Sequence, residues 1–357
     1  MKIAIIGTVG VPAKYGGFET LVENLLVHKN REDISYRVYC SSRSYAKKEK
    51  YYKGAKLTYI PFQANGIQSI IYDAVSIIHA IFTSDKLLIL GVSGCIILPF
   101  VRLFSRKKII VNIDGLEHRR GKWSKFAKWF LKTSERIAVR FSDVIITDNV
   151  AIQDYVKEHY GKDSEMIEYG GDHALEKGDD FVLKKWNLTK QNFAFKVCRI
   201  EPENNIHIVL DAFQHAPNET LVIIGNWDKN AYGQKLKQHY NTHKNIHLLD
   251  PVYEISTLNG LRENCRYYVH GHSAGGTNPS LVEAMNLGLP VLAFDVVYNR
   301  ETTENKALYF QNAESLTNQI NSLSAETLNN NASAMKEIAL RRYQWGIIAK
   351  KYEDLHN

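Results

Sequence analysis

Strand, glycine loop and helix alternate along nearly the whole chain, and that alternation constrains the fold more than any other feature. Residues 1–7 (MKIAIIG) are a short apolar run ending at glycine, and residues 17–27 then show helical spacing through Phe18, Leu21, Val22 and Leu25. Further strand-like runs lie at 36–40, 57–60, 87–90, 109–113 and 144–147, separated by helix-length segments such as 67–82 and 125–141. The series resumes at 193–200, 221–225, 246–249, 267–270 and 291–294. Strands that alternate with helices predict parallel sheets covered on both faces.

Between the two series lies a polar stretch, Gly170-Gly171-Asp172 through Lys177-Gly178-Asp179-Asp180. It reads as a linker. A chain of 357 residues is about right for two domains. The expected division is a first domain at 1–171, a second at 185–335, and a C-terminal helix at 336–357 that crosses back onto the first. The 45% hydrophobic and 23% charged composition, with eight prolines, leaves no disordered tract.

The four cysteines, Cys40, Cys95, Cys198 and Cys265, are far apart and mostly in apolar runs, which predicts buried thiols in a reducing compartment. The apolar stretch at 3–6 is far shorter than a signal-peptide core, and the uncharged run at 87–101 is too short to span a bilayer. A strand, a loop and a helix are expected there, in a cytoplasmic protein. Charge is divided unequally. Residues 1–170 hold 26 Lys and Arg against 17 Asp and Glu, and residues 171–357 hold 19 against 21. One domain is therefore expected to meet an anionic surface or ligand.

Five motifs carry chemistry. Tyr15-Gly16-Gly17-Phe18-Glu19 puts two glycines at a helix start, where backbone N–H groups and the helix dipole suit a phosphate. The dinucleotide fingerprint is absent, because Val9 and Pro12 stand where its later glycines belong. The run 270–285 (HGHSAGGTNPSLVEAM) follows an apolar strand, and its Asn278-Pro279 pair supplies a helix cap and a first-turn proline. Gly276, Thr277 and Asn278 then form a second phosphate seat. Glu283, one turn on, can accept hydrogen bonds from sugar hydroxyls. His270 and His272 have no carboxylate or thiol spaced for a metal site, so they are assigned to packing or hydrogen bonding.

Arg199-Ile200-Glu201-Pro202-Glu203-Asn204-Asn205 begins where the first strand of the second domain ends, and an arginine fork at that end suits a diphosphate. Asp114-Gly115-Leu116-Glu117-His118 and Asp148-Asn149 close two consecutive strands of the first domain, where carboxylates can bind an acceptor hydroxyl or steady a cationic sugar; singly, each could be a helix cap. Last, residues 119–140 hold eight cations, with Lys125, Lys128 and Lys132 among them, against Glu135 alone. Trp123, Phe126, Trp129 and Phe130 are interleaved. That pattern resembles an amphipathic helix on anionic lipid, with a solvated surface helix as the plainer alternative. No other part of the chain supports nucleic-acid binding.

These motifs together resemble family 4 of the GT-B glycosyltransferases, and more closely its bacterial rhamnosyltransferase branch of capsule and cell-wall polysaccharide synthesis. The signatures are PAKYGGFET at 12–20, IDGLE at 113–117, VCRIEPENN at 197–205 and the run at 270–285. The resemblance implies an α/β protein with two Rossmann-like domains facing a cleft, a nucleotide-sugar donor and retention of anomeric configuration. It also implies that no cofactor and no metal are needed. By that likeness Arg199, Asn204, Gly276, Thr277, Asn278 and Glu283 bind the donor with Gly16 and Gly17, Asp114 and Glu201 are the side chains nearest the chemistry, and Tyr15, Glu19, Glu117, His118 and Asp148 lie toward the acceptor. The branch implies L-rhamnose from dTDP-rhamnose and a polyprenyl-diphosphate-linked acceptor at the inner membrane face. A UDP-hexose donor, or a nucleotide-sugar epimerase, is the alternative. Two departures stand out: Gly275 replaces the family's glutamate eight positions before Glu283, and Asn204 replaces a lysine expected soon after Arg199.

Overall fold

In the computed structural model, every residue is described except Tyr15, Asp114, Arg120, Lys122, Asp180, Tyr253 and Asn357. The chain divides into two compact units, one of residues 1–168 with 345–357, the other of residues 169–344.

The first unit holds β1 (Lys2–Ile6), β2 (Ser35–Ser41), β3 (Tyr51–Tyr52), β4 (Ala55–Ile60), β5 (Lys86–Leu90), β6 (Lys108–Asn112), β7 (Val144–Thr147) and β8 (Glu165–Met166). They form one sheet in the order β3-β4-β2-β1-β5-β6-β7-β8, parallel except for the short β3–β4 hairpin. Ile3 through Ile6 and Ile109 through Val111 are buried, as strands covered on both faces require. The 87–101 run becomes β5, a short 3-10 turn at Ser93–Ile97 and the helix Leu98–Phe104. Among the described residues no helix is long and apolar enough to cross a membrane.

The second unit holds β9 (Ala194–Val197), β10 (Leu221–Ile224), β11 (Ile246–Leu249), β12 (Tyr267–His270), β13 (Val291–Phe294) and β14 (Leu308–Phe310). Their order is β11-β10-β9-β12-β13-β14, parallel throughout. Counted within the unit this is the 3-2-1-4-5-6 arrangement of a dinucleotide-binding sheet, and the chain reverses its direction of travel between β9 and β12. The first-unit sheet reverses in the same way between β1 and β5.

The polar stretch expected to be a linker is packed into the second unit. Residues Asp172–Leu175 make a 3-10 turn, Asn259 Nδ2 donates to the Glu176 carbonyl at 2.8 Å, and a side chain at Gly171 would strike the Val282 carbonyl at 2.5 Å. Those backbone contacts explain the glycine and the polarity without a flexible joint. The C-terminal region is two helices, Ala325–Arg342 in the second unit and Trp345–Asp354 in the first. The last helix is tied down by Glu353, which accepts from Asn30 N at 2.8 Å, and by Lys108, which donates to the Leu355 carbonyl at 2.7 Å.

Candidate active site

In sheets of this order ligands bind beyond the carboxyl ends of the strands, where the order reverses. In the second unit that place is bounded by the segment after β9, which contains Arg199, and the segment after β12, which contains Gly276, Thr277 and Asn278.

Asparagine side chains brace the first segment and tie it to the second. Asn204 Nδ2 donates to the Arg199 carbonyl at 2.7 Å, its Oδ1 accepts from His272 Nδ1 at 2.9 Å, and Asn205 Nδ2 donates to the Gly271 carbonyl at 2.9 Å. Asn204 is buried and builds the loop, so its amide is engaged within the protein. Arg199 is different. Its side chain is half-buried, and its guanidinium has no hydrogen-bond or ion-pair partner among the described residues. An unneutralised arginine at a strand end is ready for an anion. Glu201 is buried, with one carboxylate oxygen 3.9 Å from Lys229 Nζ.

The helix Pro279–Asn286 starts as its sequence dictates. Asn278 Oδ1 accepts from Ser280 N at 3.1 Å, and Pro279 occupies the first turn. The Gly276 and Asn278 amides donate to no group among the described residues. Thr277, between them in sequence, is buried. Together these amides and the helix dipole make a seat for negative charge.

Glu283 lies inside, on the same helix, and is committed to protein partners. The Arg262 guanidinium donates to its Oε2, and His173 Nε2 donates to its Oε1 at 3.1 Å. Burial pushes its carboxyl upward, but the Arg262 charge and the His173 hydrogen bond prevail and hold it below the usual carboxylate range. Neither Arg262, at the end of the helix Ile255–Asn264, nor His173, in the supposed linker, carries a sequence signal. Only the fold brings them to Glu283.

In the first unit, Gly16 and Gly17 stand at the start of the helix Gly17–Val27, and Gly16 has φ +137°. Any side chain at Gly16 would strike the Glu19 carboxylate. Glu19 turns inward to accept from Thr8 Oγ1 at 2.9 Å and Val9 N at 2.7 Å, so it braces the loop after β1 rather than facing solvent. Glu117 accepts from Trp123 Nε1 at 3.2 Å. His118 Nδ1 donates to Glu135 Oε2 at 3.0 Å, and the other Glu135 oxygen accepts from Tyr155 and Tyr160 at 3.0 and 2.6 Å. Burial pushes Glu135 up, and His118 with the tyrosine hydroxyls brings it net below its usual value. The lone acid of the basic stretch is therefore an internal anchor for His118. Asp148 is half-buried at the end of β7, beside Asn149, whose side chain caps the helix Val150–Tyr160. Tyr15 and Asp114 lie outside the described residues.

From Lys125 onward the basic stretch is the helix Lys125–Phe141, with Ser134, Glu135, Ala138 and Val139 buried; Arg119 ends a 3-10 turn, and Arg120 and Lys122 lie outside the described residues. Trp123 and Phe130 are partly buried, but Phe126 and Trp129 are 73% and 62% exposed, their ring centres 5.8 Å apart. The helix Leu98–Phe104 packs beside it and exposes Phe100, Leu103 and Phe104. Those three were not singled out by the sequence, because their short helix shows too few turns for its outer face to be read. No group of three His, Cys, Asp or Glu side chains is placed to hold a metal among the described residues.

Comparison with known families gives two adjoining matches. Residues 1–172 match a domain of unknown function (DUF1972), and residues 179–342 match glycosyl transferases group 1. The second unit carries a group 1 glycosyltransferase domain. Arg199, the amides at 276 and 278, and the Glu283–Arg262–His173 cluster all belong to that glycosyltransferase domain or its immediate N-terminal flank.

Over the whole chain the fold is shared with solved glycosyltransferases. Sucrose-phosphate synthase from Thermosynechococcus elongatus superposes with a TM-score of 0.82 at 15% identity, covering 99% of this chain and 98% of that one. Anabaena HepE in complex with UDP-glucose gives 0.76 at 16% identity, covering 100% and 99%. The catalytic domain of starch synthase IV from Arabidopsis thaliana, bound to ADP and acarbose, gives 0.72 at 11% identity, covering 99% and 98%. No curated protein sequence matches the chain. The architecture is GT-B, with parallel Rossmann-like sheets in both units.

Proposed function

We propose that the chain is a retaining glycosyltransferase that moves L-rhamnose from dTDP-rhamnose onto a polyprenyl-diphosphate-linked saccharide during surface polysaccharide synthesis. The observation that carries the transferase reading is the Arg199 guanidinium, without a partner among the described residues, at the reversal point of a group 1 glycosyltransferase domain. Rhamnose and the lipid-linked acceptor rest on the sequence resemblance.

Departure of the nucleoside diphosphate leaves negative charge on its oxygens and positive charge on the sugar. Arg199 and the amides before the helix Pro279–Asn286 meet the leaving-group charge without a metal. In front-face attack the departing phosphate takes the acceptor's proton, so no dedicated base is needed. Glu201 and Asp114 are the side chains proposed nearest the reacting carbon.

A membrane is the proposed setting. Phe126, Trp129, Phe100, Leu103 and Phe104 are exposed on two packed helices, with Lys125 and Lys132 exposed on the longer one. An apolar ridge among cations suits an anionic lipid surface.

UDP-hexose is a second donor reading, supported by the likeness to HepE, which was solved with UDP-glucose. Incubating the protein with dTDP-rhamnose or UDP-glucose, with and without a lipid-linked acceptor and with EDTA, tests the proposal. Acceptor-dependent release of dTDP that survives EDTA is expected. Release without acceptor, or no release from either donor, contradicts transfer.

A further inference from the structure

Two buried polar side chains in the second unit take no part in the site described above, and one of them, His270, makes none of the hydrogen bonds its sequence position suggested. Lys196, on β9, is 1% exposed, and its amine has neither an ion pair nor a hydrogen bond among the described residues. His270, the last residue of β12, is also 1% exposed, and both of its ring nitrogens lack partners. β9 and β12 are the two strands between which the sheet reverses. The orphaned groups therefore sit at the base of the segments that lead to Arg199 and to Asn278.

Lys196 reaches upward. A Cβ built on Gly271 would lie 3.0 Å from Lys196 Nζ, so only the bare glycine backbone leaves room for the amine under the loop. A buried amine without an anion is costly when charged, and burial pulls Lys196 below its ordinary range, with Cys198 acting in the opposite sense. His270 is held neutral: burial drives it far below the imidazole range, and Lys196 and His272 add to the effect. Two residues along from Lys196, the Cys198 thiol is in turn acted on by Lys196, Arg199 and Glu201. An anion arriving above the loop would change the balance, because it favours the protonated amine.

We propose that Lys196, with His270 beside it, is a positioning residue that carries positive charge beneath the loop at 271–278 and takes up a proton when a nucleotide's diphosphate settles on Arg199. The inference rests on the donor-site reading above. Lys196 needs no contact with the ligand.

Titration calorimetry of the full chain with UDP and dTDP, at about pH 8.5 where the nucleotide phosphates are fully ionised, tests it in two buffers of different ionisation enthalpy. The expected result is a buffer-dependent heat that reports proton uptake on binding. Lys196→Met, of similar length and apolar, should bind at least about tenfold more weakly and lose the uptake, while Cys198→Ser keeps it. A wild-type heat independent of buffer overturns the proposal with no variant needed. So does a Lys196→Met protein that binds as tightly as wild type, or a Cys198→Ser protein that loses the uptake. If wild type binds neither nucleotide, the Arg199 seat itself falls, and this inference with it.

Discussion

The Arg262 guanidinium and the Glu283 carboxylate form an ion pair inside the second unit, with both side chains almost wholly shielded from water. The pair decides how the glutamate of the 270–285 motif must be tested. Sequence alone treats Glu283 as an acceptor of hydrogen bonds from sugar hydroxyls. Removing it leaves a buried guanidinium uncompensated, which costs about 3–5 kcal/mol. Glu283→Ala is therefore expected to melt well below wild type, whereas Glu283→Leu combined with Arg262→Met should recover most of the stability. Thermal denaturation of the three proteins checks this. An unchanged melting point in Glu283→Ala would show that the pair contributes little.

Arg199→Ala should behave in the opposite way. The guanidinium has no partner to lose among the described residues, so stability should stay within about 0.5 kcal/mol of wild type. Affinity for a nucleoside diphosphate should fall by one to two orders of magnitude, the usual scale for a charge-assisted contact. Binding measured beside a melting curve separates the two effects. Equal affinity in the variant would remove Arg199 from the donor site.

Asp73 gives the first unit a pH dependence. Burial pushes its carboxyl up to about 8, opposed only by the Gly94 N–H. The folded protein thus keeps a proton that the unfolded chain loses near pH 4. Stability from this group is full below about pH 4 and declines as pH rises toward 8, because the native state binds the extra proton. Asp73→Asn should flatten that decline. Urea denaturation of both proteins at pH 5 and pH 8 measures it, and parallel losses in both would remove Asp73 as the cause.

Vesicle sedimentation tests the membrane face. Each cation near an anionic bilayer contributes on the order of 1 kcal/mol, so binding to phosphatidylserine vesicles should weaken steeply with salt. Phe104→Glu with Trp129→Glu should abolish it, since both side chains are exposed and neither supports the core. Indifference to anionic lipid, or to the double change, would favour a soluble acceptor.

What could be read from sequence follows from length scale. The runs at 144–147, 246–249, 267–270 and 291–294 coincide with β7, β11, β12 and β13, because period and burial are properties of consecutive residues. The two-residue β3 and β8 and the edge strand β14 were invisible, being too short or too polar to show a period. Caps such as Asn278 were legible for the same local reason. Partners were not. Glu283 meets Arg262 and His173 across 21 and 110 residues of chain, and His118 meets Glu135 from the preceding turn. A motif states which groups are present, whereas a distant partner determines whether they remain available to a ligand.

The final helix has a consequence for the order in which the protein is made. Residues 345–357 complete the first unit, where Lys351 pairs with Glu168 at 2.6 Å and Asn112 Nδ2 donates to the Tyr352 hydroxyl at 2.8 Å. All of the second unit is translated before them. At synthesis rates of about 5–20 residues per second, the first unit waits on the order of ten to thirty seconds for its last helix. During that interval the nascent chain leaves apolar surface on the helix Gly17–Val27 uncovered, since Trp345–Asp354 packs against it. The second unit, continuous in sequence, can finish first.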